Sequence, residues 1–265
     1  MPANAVMPGR NSPAPMSGQP DPLGFAGLNF ALETRHNPRA RRMTLRVNQA
    51  RRTVTLTLPR GCDPAQARTF VERNLPWIEA RIAELPEVVP FDDGALVPFE
   101  GELHEIVFRG PKRRAAVVWR QPRSGSASKK GPDHPQLCVA GQTSHAPRRL
   151  RDWLVRRCGE KLRDRVRLHA QNLGFQPRRI AVRDQTTRWG SCSSSGTLSF
   201  SWRLILAPPP VLDYVAAHEV AHLGEMNHGP AFWRLVGETM PDMADARAWL
   251  AQHGRDLHRY GARRG

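Results

Sequence analysis

The sequence predicts an α+β protein, with a β-rich N-terminal domain at residues 29–147 followed by a largely helical domain at residues 148–258. Two observations support this division. Short segments of alternating apolar residues recur before residue 141, whereas longer apolar stripes with helical spacing dominate after residue 147. The flanking segments 1–28 and 259–265 have no apolar periodicity, so we expect a disordered tail and a short basic tail.

The N-terminal domain is predicted to contain a hairpin, a helix and further short strands. Alternating apolar residues flank the turn segment NQARR, and Asp63 followed by Pro64 is typical of a helix start. Pro76 should kink or split that helix. Four strands are then expected at ALVPF, LHEIVF, AAVVW and LCVAG, with a flexible loop near residues 121–136.

The C-terminal domain is predicted to begin with a long amphipathic helix. Its apolar positions run from Leu150 to Leu173, and Gly174 is placed to end it. His169 lies within the apolar stripe and is therefore interpreted as a core residue. Two strands are expected at RIAVRDQTTRW and TLSFSWRLILA, separated by a SCSSSG turn, and a helix at about 210–223 follows the prolines of APPP.

Length and composition exclude several classes of protein. A chain of 265 residues can bury one large or two small cores, and its four cysteines form no CxxC pair. This excludes a disulfide miniprotein and argues against a cysteine zinc site. The sequence shows neither a secretory signal nor an apolar run of the roughly 20 residues that a membrane span needs, so we expect a cytoplasmic protein without a membrane partner.

The charge of the chain is strongly positive but unevenly distributed. The formal net charge is +16, yet only four of the 40 basic residues are lysines. Such an arginine bias is also expected from GC-rich coding, which weakens the case for a nucleic-acid partner. Residues 205–246 contain one base, Arg234, against six acids: Asp213, Glu219, Glu225, Glu238, Asp242 and Asp245.

The segment HEVAH, at residues 218–222, predicts a metal site on the helix. Side chains four residues apart on a helix lie about 5 to 6 Å from each other, so His218 and His222 can bind one ion. Glu219 is offset around the helix and can act as general base toward a metal-activated water. The predicted chemistry is hydrolysis with one Zn²⁺ per chain.

A catalytic zinc generally needs a third protein ligand. We assign this role to His228, because Gly224 can turn the chain back after the helix and Gly229 with Pro230 can begin the next one. The alternative is an acidic third ligand, with Glu238, Asp242 and Asp245 as the candidates.

Several neighbouring residues have less definite roles. The segment Trp189 to Cys192 is interpreted as turn and core, with the lining of a substrate cleft as the alternative. Arg188 and Tyr214 are both candidates for a second oxyanion donor. Phe232, Trp233 and Trp249 have the spacing of core residues.

The combined motifs resemble the YgjP-like metallopeptidase family. The resemblance is carried by WGSCSS, by SWRLILAPP, by HEVAHL, by MNH and by FW before MPD, and it extends from about Thr44 to Gly254. It implies a zincin-like C-terminal domain related to SprT-like proteins, with His218, His222 and His228 as zinc ligands and Glu219 as catalytic acid/base. The main departures are the N-terminal tail and a polar insertion near residues 124–135.

Three functions are therefore considered. The first is a zinc metallopeptidase acting on a peptide or protein. The second is a metal-dependent hydrolase of nucleoside triphosphates or another small anion, suggested by the arginines. The third is a SprT-like, nucleic-acid-associated protease or binding module. The sequence leaves the oligomeric state open.

Overall fold

The structure is a computed structural model that describes residues 30–48, 53–110, 117–122 and 134–261. It confirms the α+β class, and its contacts divide the chain into two compact units, residues 1–84 and 85–264. The division thus follows Glu84, whereas the sequence places it between residues 147 and 148. The predicted tail at residues 1–28, the NQARR turn after Asn48 and residues 262–265 of the basic tail lie outside the described ranges.

The first unit packs a three-stranded sheet against one helix. Strands β2 (Thr44–Asn48) and β3 (Thr53–Leu58) form the predicted antiparallel hairpin, and β1 (Ala31–His36) adds to β3 in parallel. Helix α1 (Pro64–Ala83) begins at the predicted cap, where the Asp63 carboxylate accepts a hydrogen bond from the Ala65 amide at 3.1 Å. The helix is not split at Pro76. One face of β3 and one face of α1 form the core of this unit: Val54, Leu56, Leu58, Ala67, Val71, Ile78 and Ile82.

The second unit begins with a four-stranded sheet. Its strands are β4 (Leu96–Phe99), β5 (Glu102–Arg109), β6 (Val118–Gln121) and β7 (Gln136–Ala140), in the order β4-β5-β7-β6. These strands match the four predicted segments, although Ala115 and Ala116 are not described. Gln121 and Gln136, the ends of the predicted flexible loop, are paired strand residues, and residues 123–133 between them lie outside the described part.

This sheet belongs with the C-terminal helices, which explains the displaced domain boundary. Helix α2 (Ala146–Leu173) shares one apolar core with the sheet, in which Ile106 and Leu137 contact the same cluster as Leu150 and Leu154. Burial of both apolar faces requires them to pack together. Strand periodicity indicated the strands correctly but carried no information about which helix would cover them.

A second, smaller sheet lies against the same core. It contains β8 (Arg179–Arg183), β9 (Gly190–Cys192) and β10 (Thr197–Ser201), in the order β8-β10-β9. Two expectations were wrong here. Gly190 to Cys192 form an edge strand rather than a turn, and the long strand expected at TLSFSWRLILA ends at Ser201, where a 3-10 helix (Trp202–Leu206) begins. All five residues of that 3-10 helix are buried, so tertiary packing overrides their strand propensity.

Three helices complete the second unit. Helix α3 (Pro209–Ala221) matches the helix predicted at about 210–223, and it is followed by α4 (Pro230–Thr239) and α5 (Met243–His253). A 3-10 helix at Gly254–Arg259 includes the first residue of the predicted basic tail. Within the described ranges, no helix has the length and apolarity needed to cross a membrane.

Two glycines provide a test of these helices with opposite expected signs. Gly174 ends α2 in the left-handed region at φ 72°, whereas Gly237 lies inside α4 with no atom within 4 Å of an added Cβ. Gly174→Ala should lower the free energy of unfolding by about 1 kcal/mol, and Gly237→Ala should raise it by about 0.5 to 1 kcal/mol. Urea unfolding of both variants measures the two changes. The same sign for both would contradict the placement of Gly174 at a helix end and of Gly237 inside a helix.

Candidate metal centre

Three histidines meet at the C-terminal end of α3. One nitrogen of each of His218, His222 and His228 lies within 4.8 Å of the corresponding nitrogen of the other two, and the Nε2 atoms of His218 and His228 are 3.1 Å apart. The helix places the first two residues, and the segment between α3 and α4 returns the third. The predicted set is thus brought together in space.

The acidic alternatives for the third position are not part of this group. Among the described residues, no cluster of metal-ligand type includes Glu238, Asp242 or Asp245. Glu238 instead lies 3.7 Å from Arg234 on its own helix. The geometry therefore favours His228 over an acid.

Hydrogen bonding assigns the free nitrogen of one ring. The Nδ1–H of His222 donates to the Glu225 carbonyl oxygen at 3.0 Å, which leaves Nε2 with a free lone pair. The Nδ1 atom of His218 is buried and has no partner among the described residues. Burial, reinforced by the charges of His222, His228 and Arg247, lowers the pKa of His218 to about 4. Neutral imidazoles are the form that binds a metal.

Aromatic side chains pack against the three histidine rings and hold them in place. Phe232, which is fully buried on α4, has its ring centre 4.8 Å from that of His218, 4.5 Å from His222 and 4.7 Å from His228. Trp233 lies 6.1 Å from the rings of His218 and His228. Both residues were predicted to be core, and Phe232 in addition forms the wall against which the three imidazoles rest.

Glu219 is buried beside the histidines. Its side chain is only 4% exposed, and Oε2 has no hydrogen-bond partner among the described residues. Burial raises the pKa of Glu219 to about 8, although the charge of Arg188 acts in the opposite direction. The carboxyl group therefore retains its proton at neutral pH in the metal-free chain, and a nearby cation would favour the carboxylate.

The strand β9 contacts Glu219 through a glycine. A Cβ atom on Gly190 would lie 2.4 Å from Oε1 and 2.6 Å from Cγ of Glu219. Only glycine permits this approach, so the carboxyl group rests directly on the strand backbone. The interpretation of Trp189 to Cys192 as turn and core is thus incomplete, because this edge strand forms one wall of the site.

A chain of hydrogen bonds connects the helices behind the site. Arg165 donates to Asp213 at 2.5 and 2.6 Å, and the Nε2–H of His169 donates to the same carboxylate at 2.7 Å. Thr239 donates to Nδ1 of His169 at 2.7 Å and accepts a hydrogen bond from Asn172 at 3.0 Å. Burial opposes ionisation of Asp213, but the His169 and Arg165 bonds keep its pKa below the usual range.

This network confirms His169 as a core residue and gives it a partner that sequence reasoning missed. Asp213 lies on α3 and Thr239 on α4, so the imidazole ties both helices to α2. The pairing joins residues 44 and 70 positions apart, and no local pattern in the sequence could indicate it.

A helix with HExxH and a third histidine within ligand distance are features of a metal-dependent hydrolase. The family described as YgjP-like, metallopeptidase domain, matches residues 41–253. The chain belongs to this metallopeptidase family, and the resemblance seen in the sequence is confirmed.

No curated protein gave a significant match. Among solved structures, the crystal structure of the metallopeptidase zymogen of Pyrococcus abyssi abylysin matches with 21% identity and a TM-score of 0.33, over 36% of this chain and 96% of that one. A TM-score this low is no basis for a structural assignment.

The contact between Gly190 and Glu219 can be tested by a double-mutant cycle. Gly190→Ala should destabilise the fold by about 1 to 3 kcal/mol, because the new methyl group overlaps the Glu219 side chain. The same change made in a Glu219→Ala background should cost much less, since the overlapping atoms are gone. Chemical denaturation of the four proteins gives the coupling, and equal costs in both backgrounds would disprove the contact.

The raised pKa of Glu219 predicts a pH-dependent stability in the metal-free protein. Between pH 4.5 and about 8 the folded chain holds a proton that the unfolded chain has released, so stability from this group falls as pH rises. Glutamine cannot ionise. The free energy of unfolding of Glu219→Gln minus that of the wild type should therefore increase across this window and level off above it.

Denaturation in the presence of a chelator measures that difference. Among the described residues, four histidines have lowered pKa values: His104, His218, His222 and His258. Their contributions are the same in both proteins and cancel. A difference that is flat with pH would show that the Glu219 pKa is not raised.

Proposed function

We propose that the protein is a zinc-dependent metallopeptidase in which His218, His222 and His228 hold one zinc ion and Glu219 acts as general acid/base. The observation that carries this proposal is the meeting of three histidine nitrogens within 4.8 Å, next to a buried carboxyl group. Membership of a metallopeptidase family supports a divalent metal and a peptide or protein substrate.

The donor set fits zinc. Tetrahedral zinc with histidine ligands at about 2.0 to 2.1 Å separates the ligand nitrogens by about 3.4 Å, close to the 3.1 Å between the Nε2 atoms of His218 and His228. Three neutral imidazoles leave one position for solvent or substrate, as expected of a catalytic rather than a structural site. Exposure of His228 leaves this side of the cluster accessible.

Glu219 is suited to move the proton in peptide hydrolysis. A bound zinc ion supplies Lewis acidity, lowering the pKa of water to about 7 and polarising a carbonyl group. The Oε2 atom of Glu219, which lacks a protein partner in the described ranges, can accept the proton that the attacking water loses. Glu219 then returns this proton to the amine that leaves.

An extended peptide can pair with the edge of the small sheet. Strand β9 is at the end of the order β8-β10-β9, and its Gly190 backbone contacts Glu219. A peptide added to this edge would place a carbonyl group near the carboxyl group and the histidines. For the second oxyanion donor, Arg188 and Tyr214 both remain candidates. Burial raises the pKa of Tyr214, so its hydroxyl keeps the proton to donate, and its ring lies 5.8 Å from His218.

Metal content and activity should distinguish the metal-binding role of His228 from the proton-transfer role of Glu219. His228→Ala should lose zinc and activity, because one of three ligands is removed, whereas Glu219→Gln should keep about one zinc per chain and lose at least about 100-fold in peptide hydrolysis. His145→Ala, which removes an exposed histidine outside the cluster, is the matched control.

Metal analysis by mass spectrometry and a peptide-library assay provide the two measurements. Full zinc occupancy in His228→Ala would move the third ligand elsewhere. Release of phosphate from nucleoside triphosphates by the wild type, abolished in Glu219→Gln, with no cleavage of any peptide would favour the small-anion hydrolase instead.

A further inference from the structure

An arginine lies over an aromatic ring that neighbours the histidine cluster. The guanidinium carbon of Arg247, on α5, is 4.4 Å from the ring centre of Trp233. That ring is in turn 6.1 Å from the rings of His218 and His228. Arg247 is exposed, so solvent and substrate can reach it.

The positive charge of Arg247 is not balanced by an acid. No carboxylate of the described residues forms an ion pair with it, whereas Arg165, Arg157 and Arg234 on other helices of the same unit are each paired. An incoming anion would compensate this unpaired positive charge.

The stacking on Trp233 determines which part of Arg247 is available. A guanidinium that lies over an aromatic face keeps its planar N–H edge free, and this edge matches a carboxylate with two parallel hydrogen bonds. Peptides carry carboxylates in two places, at the C-terminus and on aspartate or glutamate side chains.

We propose that Arg247 is a specificity-determining residue that binds a carboxylate of the peptide substrate beside the histidine cluster. This inference rests on the proposed function, because it assumes that peptides bind at this site. It names the substrate class more closely: peptides with a carboxylate within reach of the cleaved bond, held by a guanidinium that Trp233 orients.

The test uses the full-length zinc-loaded protein and a matched peptide panel. One neutral sequence is made with a free C-terminus, with a C-terminal amide, and as an amide with a single glutamate or glutamine at each position near the cleaved bond. Wild type should cleave one carboxylate form with a kcat/KM about 10- to 100-fold above that of its neutral partner. The form that is preferred identifies the terminal or the side-chain carboxylate as the ligand.

Three variants then assign the preference to Arg247. Arg247→Gln should lose the preference for the carboxylate peptide and still cleave the neutral peptide within about twofold of wild type. Arg247→Lys should keep part of the preference, because lysine retains the charge but lacks the planar group that donates two parallel hydrogen bonds. Arg255→Gln, which removes another exposed arginine from the next element, should keep all of it. Zinc content and thermal unfolding of each variant show that the fold is intact.

A binding measurement separates this inference from the peptidase assignment. Zinc-loaded Glu219→Gln should bind one carboxylate peptide of the panel about 10- to 100-fold more tightly than its neutral partner. Adding Arg247→Gln should remove this difference. Equal binding of both peptides, or an equal loss for both on changing Arg247, would overturn the inference. If no peptide is cleaved by wild type, the proposed function fails, and this binding arm still decides the role of Arg247.

Discussion

The structure depends on a buried helix that holds two histidine nitrogens and a carboxyl group in fixed positions. Nine of the 13 residues of α3 are buried, including Glu219, so the helix cannot rotate without exposing apolar surface. The four-residue interval between His218 and His222 is then a constant of helix geometry. Every other feature of the site, from the Gly190 backbone to the Phe232 ring, is arranged around that helix.

The hydrogen-bond chain through His169 explains how the surrounding helices keep their places. It runs from Asn172 through Thr239 and His169 to Asp213, which Arg165 also binds. Thr239 is at the end of the helix that carries Phe232, so the same bonds that join α2 to α3 also hold the ring against the histidines. Buried polar groups are costly unless their partners are complete, and here each member of the chain has one.

The electrostatics of the site favour the binding of a cation. Burial raises the pKa of Glu219 and lowers that of His218, so the metal-free chain holds a neutral acid beside neutral imidazoles. A divalent ion would bind the imidazole lone pairs and at the same time favour the carboxylate. Desolvation of these groups costs stability, and it gives them pKa values that suit proton transfer near neutral pH.

The sequence by itself determined the features that depend on neighbouring residues. These are the pairing of His218 with His222, the start of α1 at Asp63, the end of α2 at Gly174 and the alternation of β2 and β3, because helix and strand periods act over a few residues. The return of His228 could also be predicted, from the glycines around it. Only the tertiary structure decided the boundary after Glu84, the 3-10 helix at Trp202–Leu206, the contact of Gly190 with Glu219 and the position of Arg247. Each of these depends on which surfaces pack together across long sequence separations, and local periodicity contains no information about that choice.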